Sequence, residues 1–197
     1  MGDQVKAQSH RAAKRKRDIR MAKVANAREA IGTIEPGAEI YILTFGQFAL
    51  LDAILEILRQ TGPAEVIVAT WTAANTDLDR MAQQLANRAG LITELRWLVD
   101  RSFVSRQPKY CAKMRELFGD DCIRTTRTHA KFVTISNDKW RIAVRTSANL
   151  NENPRLESIE ISDDPDLCSF LEGIVEALFV EQQTGDFDGR LPMLATK

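Results

Sequence analysis

The residues with the clearest chemical potential are His129 and Lys131, on either side of Ala130 in the segment HAKFVTI. The alternation in this segment predicts a β-strand, with His129 and Lys131 on one face and Ala130 and Phe132 on the other. Burying an imidazole beside an ammonium is unfavourable, because both groups lose solvation and their charged forms repel. A phosphate bound between them removes this conflict: the cation neutralises its charge, and a neutral imidazole nitrogen attacks phosphorus.

Further polar residues follow at strand-like spacing. After a predicted turn at residues 136–138, a second strand leads to Ser147 and Asn149, which again share a face. Their hydroxyl and carboxamide groups are short donors suited to non-bridging phosphate oxygens. Glu157 opens the next predicted strand, where a carboxylate bonded to the non-attacking ring nitrogen would fix the histidine tautomer and stabilise the imidazolium. Glu160 is the alternative for this role, but strand alternation puts it on the opposite face, so we favour Glu157.

The order His129-x-Lys131, Ser147-x-Asn149 and Glu157 resembles the motif of the phospholipase D superfamily, HxKxxxxD followed by GSxxN or GSxN and a downstream Glu. The resemblance covers about residues 38–180, and its specific part is residues 129–157. It implies an α/β fold with a phospholipase D-like mixed β-sheet sandwiched by helices. It also implies that these five residues form the catalytic set.

Two positions differ from the family motif. Ser136 stands where the family has Asp, with Asp138 as the nearest carboxylate, and Thr146 stands where the family has Gly before the motif serine. These differences leave two functions open: a phosphodiesterase, and a phospholipase D-like dimer that binds nucleic acid without turnover. Hydrolysis of lipid headgroups is disfavoured, because the chain lacks an apolar membrane-facing segment and an interfacial anchor.

The resemblance implies a two-step mechanism without metal or other cofactor. One histidine attacks phosphorus and forms a phosphohistidine, a second protonates the leaving oxygen, and water releases the product. The chain has only two histidines, and His10 lies in a basic N-terminal segment with no motif around it. We therefore expect a homodimer in which His129 of both subunits completes one site, as in the small single-motif bacterial endonucleases of the family.

Hydrophobic patterning indicates the elements that must position these residues. In the first part, strand patterns alternate with helix patterns, which predicts an α/β layered body with parallel strands. In the second part, a hairpin, a further strand and a last helix that begins at Asp164-Pro165 are predicted. The predicted strands are Glu39–Thr44, Val66–Thr70, Leu91–Val99, His129–Ile135, Lys139–Arg145 and Glu157–Ser162, and the predicted helices of the first part are Gln47–Gln60, 76–89 and Pro108–Phe118.

The formal net charge of zero hides an asymmetry. Residues 1–30 contain nine Lys and Arg against three acidic residues, a net of +6, so the other 167 residues carry −6. This segregation predicts three parts: a basic arm, helical or disordered, at 1–30, a phospholipase D-like domain at 38–183 and a tail at 184–197. The arm is either a solvated terminus or a nucleic-acid-binding segment. In the second case the predicted contacts to DNA or RNA are Lys14, Arg15, Lys16, Arg17 and Arg20, with Arg127 and Arg145 near the site.

Composition limits the remaining possibilities. Hydrophobic residues make up 44% of the 197 residues, enough for a buried core. No apolar run approaches the ~20 residues of a membrane helix, so we expect a cytoplasmic protein without a membrane partner. The three cysteines lie in no metal-ligand spacing and are expected to be reduced, buried thiols. Of the three tryptophans, Trp97 and Trp140 are expected in the core, whereas Trp71 fits either the core or the rim of the site. Together with the phospholipase D resemblance, these features favour a metal-independent, non-specific nuclease, with a nucleic-acid-binding dimer of weak or no activity as the alternative.

Overall fold

A computed structural model describes residues 17–21, 26–86, 90–151 and 155–185. Within these ranges the strands are β1 (Arg17–Met21), β2 (Glu39–Thr44), β3 (Ala64–Thr70), β4 (Ile92–Asp100), β5 (Ile123–Thr126), β6 (Phe132–Ser136), β7 (Arg141–Thr146) and β8 (Glu157–Asp163). The helices are α1 (Ala27–Ile31), α2 (Leu50–Thr61), α3 (Asn75–Ala86), α4 (Ser102–Arg106), α5 (Pro108–Phe118) and α6 (Pro165–Glu181). None of these helices is long and apolar enough to cross a bilayer.

The strands of the described ranges form a single mixed sheet in the order β1-β2-β8-β7-β6-β3-β4-β5. As predicted, the strands of the first part, β3, β4 and β5, run parallel. The strands β6 and β7 form an antiparallel hairpin, and β8 pairs antiparallel with both β7 and β2. In consequence β2, β3, β4, β5 and β7 end at the same edge of the sheet at which β6 and β8 begin.

Helices cover both faces of the sheet, as the sequence predicts. Alternate residues of β3 enter two separate apolar clusters, since Val66 and Val68 belong to one and Ile67 and Ala69 to the other. The larger cluster contains the buried faces of α2, α3 and α5. The smaller cluster is closed by α6 through Val175 and Leu178. Apolar burial on two faces holds the sheet rigid, so its edge is a fixed base for polar side chains.

The last helix begins as the sequence predicts. The Asp164 carboxylate accepts a hydrogen bond of 3.1 Å from the backbone N–H of Leu167, and Pro165 occupies the first helical turn. An N-cap acceptor and a proline at the first position together fix where such a helix starts.

Part of the predicted basic arm has a different structure from the one expected. In place of a helical or disordered segment, Arg17–Met21 form β1, which adds to the sheet parallel to β2. The Arg20 guanidinium donates to the backbone carbonyl of Ile31 and so joins this strand to α1. The backbone hydrogen bonds to β2 and the Arg20 bond to α1 stabilise this strand, although its own residues are mostly polar and exposed. Residues 26–30 of the predicted arm form the N-cap and most of α1, whereas residues 1–16 and 22–25 lie outside the described residues, as do residues 186–197 of the predicted tail.

The cysteines and two of the tryptophans follow the sequence-based expectation. Cys111 and Cys168 are buried and Cys122 is half-buried, and all three are free thiols. Burial raises the pKa of Cys122 to about 11 and that of Cys168 to about 12, so neither is a reactive thiolate near neutral pH. Trp97 is fully buried in the larger cluster, and Trp140 packs against that cluster.

Candidate active site

Three loops meet at the common edge of the sheet, and together they carry the predicted site. The backbone N–H of Thr146, at the end of β7, donates to the carbonyl of Lys131 at 3.3 Å. The loop after β7 then crosses to the end of β3, where Leu150 N–H donates to Thr72 O (3.3 Å) and Ala74 N–H donates to Leu150 O (2.8 Å). These backbone bonds tie loops 71–74, 127–131 and 147–151 into one surface.

His129 and Lys131 lie in the loop before β6, not within the strand that the sequence predicts. The strand begins only at Phe132, which is buried beneath α6. The two side chains are still neighbours: Lys131 Nζ is 3.4 Å from His129 Nδ1 and donates to the His129 carbonyl at 3.2 Å. His129 is exposed and Lys131 is half-buried. An accessible imidazole beside an ammonium can receive a phosphate monoanion, because each group offers it a donor or a nucleophile.

Asp100, at the end of β4, holds the loop that carries His129. Its carboxylate accepts hydrogen bonds of 2.9 Å from the backbone N–H of Thr128 and from that of Ser102, and a further one from the Ser102 hydroxyl. The Asp100 side chain is 7% exposed. Burial raises the pKa of Asp100, but the bonds from Ser102 and Thr128 outweigh burial, so the pKa lies below its ordinary value. Asp100 therefore remains ionised and fixes the backbone directly before His129.

Sequence reasoning missed Asp100, although a signal was present. An Asp at a strand end with Ser two residues later is typical of a local turn in which the carboxylate accepts from backbone N–H groups. The hydrogen bond from the Thr128 N–H to Asp100 spans 28 positions and cannot be recognised from local patterns.

Ser147 and Glu157 contact each other directly. The Ser147 hydroxyl donates to the Glu157 carboxylate and accepts a 2.9 Å bond from the backbone N–H of Ser158. Among the described residues, no hydrogen bond joins Glu157 to His129, so the predicted orienting contact is not formed in this structure. The competing carboxylate, Glu160, contacts Arg17 and Arg145.

Asn149 and Thr146 show how the loop after β7 is built. The Thr146 hydroxyl donates to Ser158 O at 2.8 Å and accepts from Ala148 N–H at 2.9 Å, so the threonine side chain is committed to the loop itself. The Asn149 Oδ1 atom is buried and has no hydrogen-bond partner within the described ranges. A buried acceptor without a partner is costly and marks a place where a ligand donor or an ordered water would be favourable.

The position of the family Asp is filled by a different polar network. Ser136, at the far end of β6, is 7% exposed, and its hydroxyl donates to Glu172 Oε1 on α6 at 2.6 Å. Glu172 also accepts from the Arg141 guanidinium. A carboxylate is thus present at this end of the hairpin, but the neighbouring helix supplies it.

Ser136→Asp is expected to lower the free energy of unfolding by about 1–3 kcal/mol, because a second carboxylate would face Glu172 in a largely buried place. Urea unfolding monitored by circular dichroism measures this. Ser136→Ala measures the loss of the hydroxyl without an added carboxylate, and it should lower the free energy of unfolding by about 1 kcal/mol. Adding Glu172→Gln to Ser136→Asp should restore most of the lost stability. A Ser136→Asp protein as stable as wild type would show that this network is not formed.

Trp71 lies at the rim of the site, directly after β3. Its ring centroid is 6.2 Å from that of His129, with the planes inclined at 42°. The guanidinium carbon of Arg106, the last residue of α4, is 5.7 Å from the Trp71 ring centroid. Of the two positions that the sequence left open for Trp71, the structure therefore shows the rim.

Of the residues predicted to bind nucleic acid, some lie outside the described residues and others are already paired with acidic side chains. Lys14, Arg15 and Lys16 lie outside the described residues. Arg17 pairs with Glu39 and Glu160, Arg20 bonds Asp18 and α1, and Arg145 pairs with Glu160. Arg127 is exposed in the loop that leads to His129. No group of three or more His, Cys, Asp or Glu side chains in the described part of the chain is arranged to hold a metal ion.

No family model matches the sequence, and no curated protein matches it. Among solved structures, the fold is similar to polyphosphate kinase from Porphyromonas gingivalis, with a TM-score of 0.50 and 14% identity over 76% of this chain and 27% of that one. The chain thus spans about a quarter of the kinase. NucT from Helicobacter pylori (TM-score 0.48, 13% identity) is matched over 72% of this chain and 96% of NucT. Nuc from Salmonella typhimurium, named as a phospholipase D family member, has a TM-score of 0.45 and 13% identity, and it is matched over 68% of this chain and 90% of Nuc.

At these identities the comparison concerns the fold alone, and of the three structures only the kinase reaches a TM-score of 0.50. The mixed eight-stranded sheet with helices on both faces is the α/β architecture that the sequence predicts. The chain therefore has the fold class that the sequence predicts, and this fold is similar to that of the kinase.

Proposed function

We propose that this chain is a metal-independent phosphodiesterase, a non-specific nuclease that acts on DNA or RNA. The observation that carries the proposal is the exposed His129 imidazole, with Lys131 Nζ 3.4 Å from its Nδ1, on a loop that Asp100 anchors. The ammonium binds a phosphate oxygen as the imidazole approaches phosphorus. The same surface carries Ser147 and Asn149, whose hydroxyl and amide donate to the other phosphate oxygens.

The reaction proceeds in two balanced steps. A ring nitrogen of His129 attacks phosphorus and forms an N–P bond, while the P–O bond to the leaving strand breaks and that oxygen takes a proton from a second imidazole. Water then attacks the phosphohistidine, passes a proton to the second imidazole and restores His129. The second imidazole is His129 of a partner subunit, because the only other histidine, His10, has no motif around it.

In this scheme Glu157 orients the imidazole. In the structure its carboxylate is bonded to Ser147 instead. Phosphate binding offers the Ser147 hydroxyl a new acceptor, which releases the Glu157 carboxylate for a ring N–H of the histidine. The roles of the five predicted catalytic residues remain a proposal that substitution must test.

The second candidate is a dimer that binds nucleic acid without turnover. Two observations favour it: the Ser147–Glu157 bond in place of a His129–Glu157 contact, and Thr146 in place of the family glycine. Such a protein would use its cationic side chains for contacts to phosphates, with a steep salt dependence and no sequence readout.

The two candidates are separated by incubating the protein with plasmid and with single-stranded DNA in EDTA. The nuclease cleaves under these conditions and the binding dimer leaves DNA intact but retards it in a salt-sensitive gel shift. If the protein neither cleaves DNA nor retards it in the gel, both candidate functions are contradicted. A protein that sediments as a monomer at all working concentrations would contradict the shared site in either version.

A further inference from the structure

Trp71 and Arg106 lie together beside the proposed catalytic centre, with the Arg106 guanidinium carbon over the Trp71 ring, 5.7 Å from its centroid. Trp71 is half-buried, so part of the indole remains accessible. It lies one residue after β3, and the short distance to His129 places the indole next to the histidine that would meet phosphorus. Arg106 is exposed, and its contact in the described part of the chain is the one with the Trp71 ring. An indole and a guanidinium are the two kinds of side-chain plane on which nucleobases stack.

The elements that hold these two side chains are rigid. Trp71 follows Thr70, which is fully buried and donates from its hydroxyl to the carbonyl of Thr72 at 2.8 Å. Arg106 ends α4, whose start is fixed by the bonds from Ser102 to Asp100. Because Asp100 also anchors the loop that carries His129, one carboxylate sets both the platform and the catalytic histidine.

Next to the platform, the surface opens into a polar cleft of about 450 Å³. Thr72 and Gln107 line both this cleft and the small depression between Trp71 and Arg106. The cleft wall also includes Tyr110 and Asn151, and Asn151 Oδ1 is buried without a hydrogen-bond partner among the described residues. The volume lies in the range of small-ligand sites, and hydroxyl and amide groups suit the polar edge of a base.

We infer that Trp71 and Arg106 form a stacking platform for an unpaired nucleobase next to the scissile phosphate, which makes single-stranded nucleic acid the preferred substrate. The inference rests on the proposed function and deepens it. In a duplex both faces of each base are covered by its neighbours, so stacking on an indole requires a base that is free of the stack. The platform therefore discriminates between single-stranded and double-stranded nucleic acid, whereas contacts to phosphate alone do not.

Binding measured in a His129→Ala background tests the inference without turnover. The probes are a single-stranded oligonucleotide, a duplex of the same sequence and an abasic single strand of the same length. Trp71→Leu should weaken binding of the ordinary single strand by about 5- to 150-fold, the equivalent of one stacked base. Binding of the duplex and of the abasic strand should change less than about twofold, since neither offers a free base.

Trp71→Phe is the conservative control. It retains an aromatic face and should recover most of the affinity for the single strand, and circular dichroism checks that both variants fold. Equal losses on all three probes, or no loss on the ordinary single strand, would overturn the inference while leaving the proposed function standing. If the His129→Ala parent binds none of the probes and the wild-type protein cleaves none of them in EDTA, the proposed function fails and the inference fails with it.

Discussion

Replacing His129 with alanine is expected to reduce phosphodiester cleavage in EDTA by at least about 10⁴-fold, because in the proposed shared site the substitution removes both the nucleophile and the proton donor. The fold should be unaffected. His129 is exposed and its substitution leaves the hydrogen bond from the Thr128 N–H to Asp100 in place, so the free energy of unfolding should change by no more than about 0.5 kcal/mol. Initial rates on a labelled oligonucleotide, together with urea unfolding, measure the two effects.

The matched control is His10→Ala, which removes the only other histidine. It should retain cleavage activity, since His10 has no motif around it. The shared site would be contradicted if His10→Ala abolished cleavage as strongly as His129→Ala. Cleavage that survives in His129→Ala would mean that another residue is the nucleophile.

Replacing Asp100 with alanine should lower the free energy of unfolding by about 2–4 kcal/mol, because it leaves the backbone N–H groups of Ser102 and Thr128 without their acceptor in a nearly buried place. Cleavage should also fall, since the loop that carries His129 loses its anchor. Asp100→Asn keeps the shape and one acceptor oxygen but turns an amide N–H₂ toward donors, so an intermediate loss is expected. The exposed carboxylate of Asp138 provides a control, and Asp138→Asn should change stability by less than about 0.5 kcal/mol.

The effect of Asp100 should depend on pH in a defined direction. Because the pKa of Asp100 in the folded chain lies below the ordinary value of 3.8, its ionisation stabilises the fold fully above that value. The stabilisation is lost as the pH falls below 3.8 and through the lower pKa of the folded state. The stability difference between wild type and Asp100→Asn should therefore be largest near neutral pH and should shrink toward pH 3. A difference that is constant between pH 7 and pH 3 would contradict the ionised role of Asp100.

Much of the fold could be predicted from local patterns. The β-branched and alternating runs gave β2 with its observed bounds, and β3, β4 and β8 within two residues. The helix α5 was predicted with its observed bounds, between Gln107 and Gly119. Such elements are fixed by hydrophobic periodicity and by proline and glycine at their ends, both of which are readable in one sequence.

The elements that were not predicted depend on contacts distant in sequence. The segment Arg17–Met21 is too polar to be recognised as a strand. It is stabilised by pairing with β2 and by the ion pair between Arg17 and Glu39. Residues 123–126 form β5 because β4 offers an open edge. Neither neighbour can be inferred from the segment itself.

The site residues were recognisable by type and spacing, but their geometry was not. His129 and Lys131 were placed on a strand because HAKFVTI alternates, whereas the strand begins at Phe132. The loop conformation depends on the acceptor at Asp100, 28 positions before Thr128. The Ser147–Glu157 bond likewise joins the loop after β7 to the start of β8, and only the folded sheet brings these two segments together.

The central claim is that two copies of His129 complete one catalytic site, and mixed dimers test it most directly. Wild-type and His129→Ala chains are unfolded together at known ratios, refolded, and assayed for cleavage in EDTA at constant total protein. If each site needs both histidines, activity follows the square of the wild-type fraction, so an equal mixture retains about one quarter of the wild-type rate. A linear dependence, with about one half of the rate in the equal mixture, would show that each chain acts alone and would contradict the shared site.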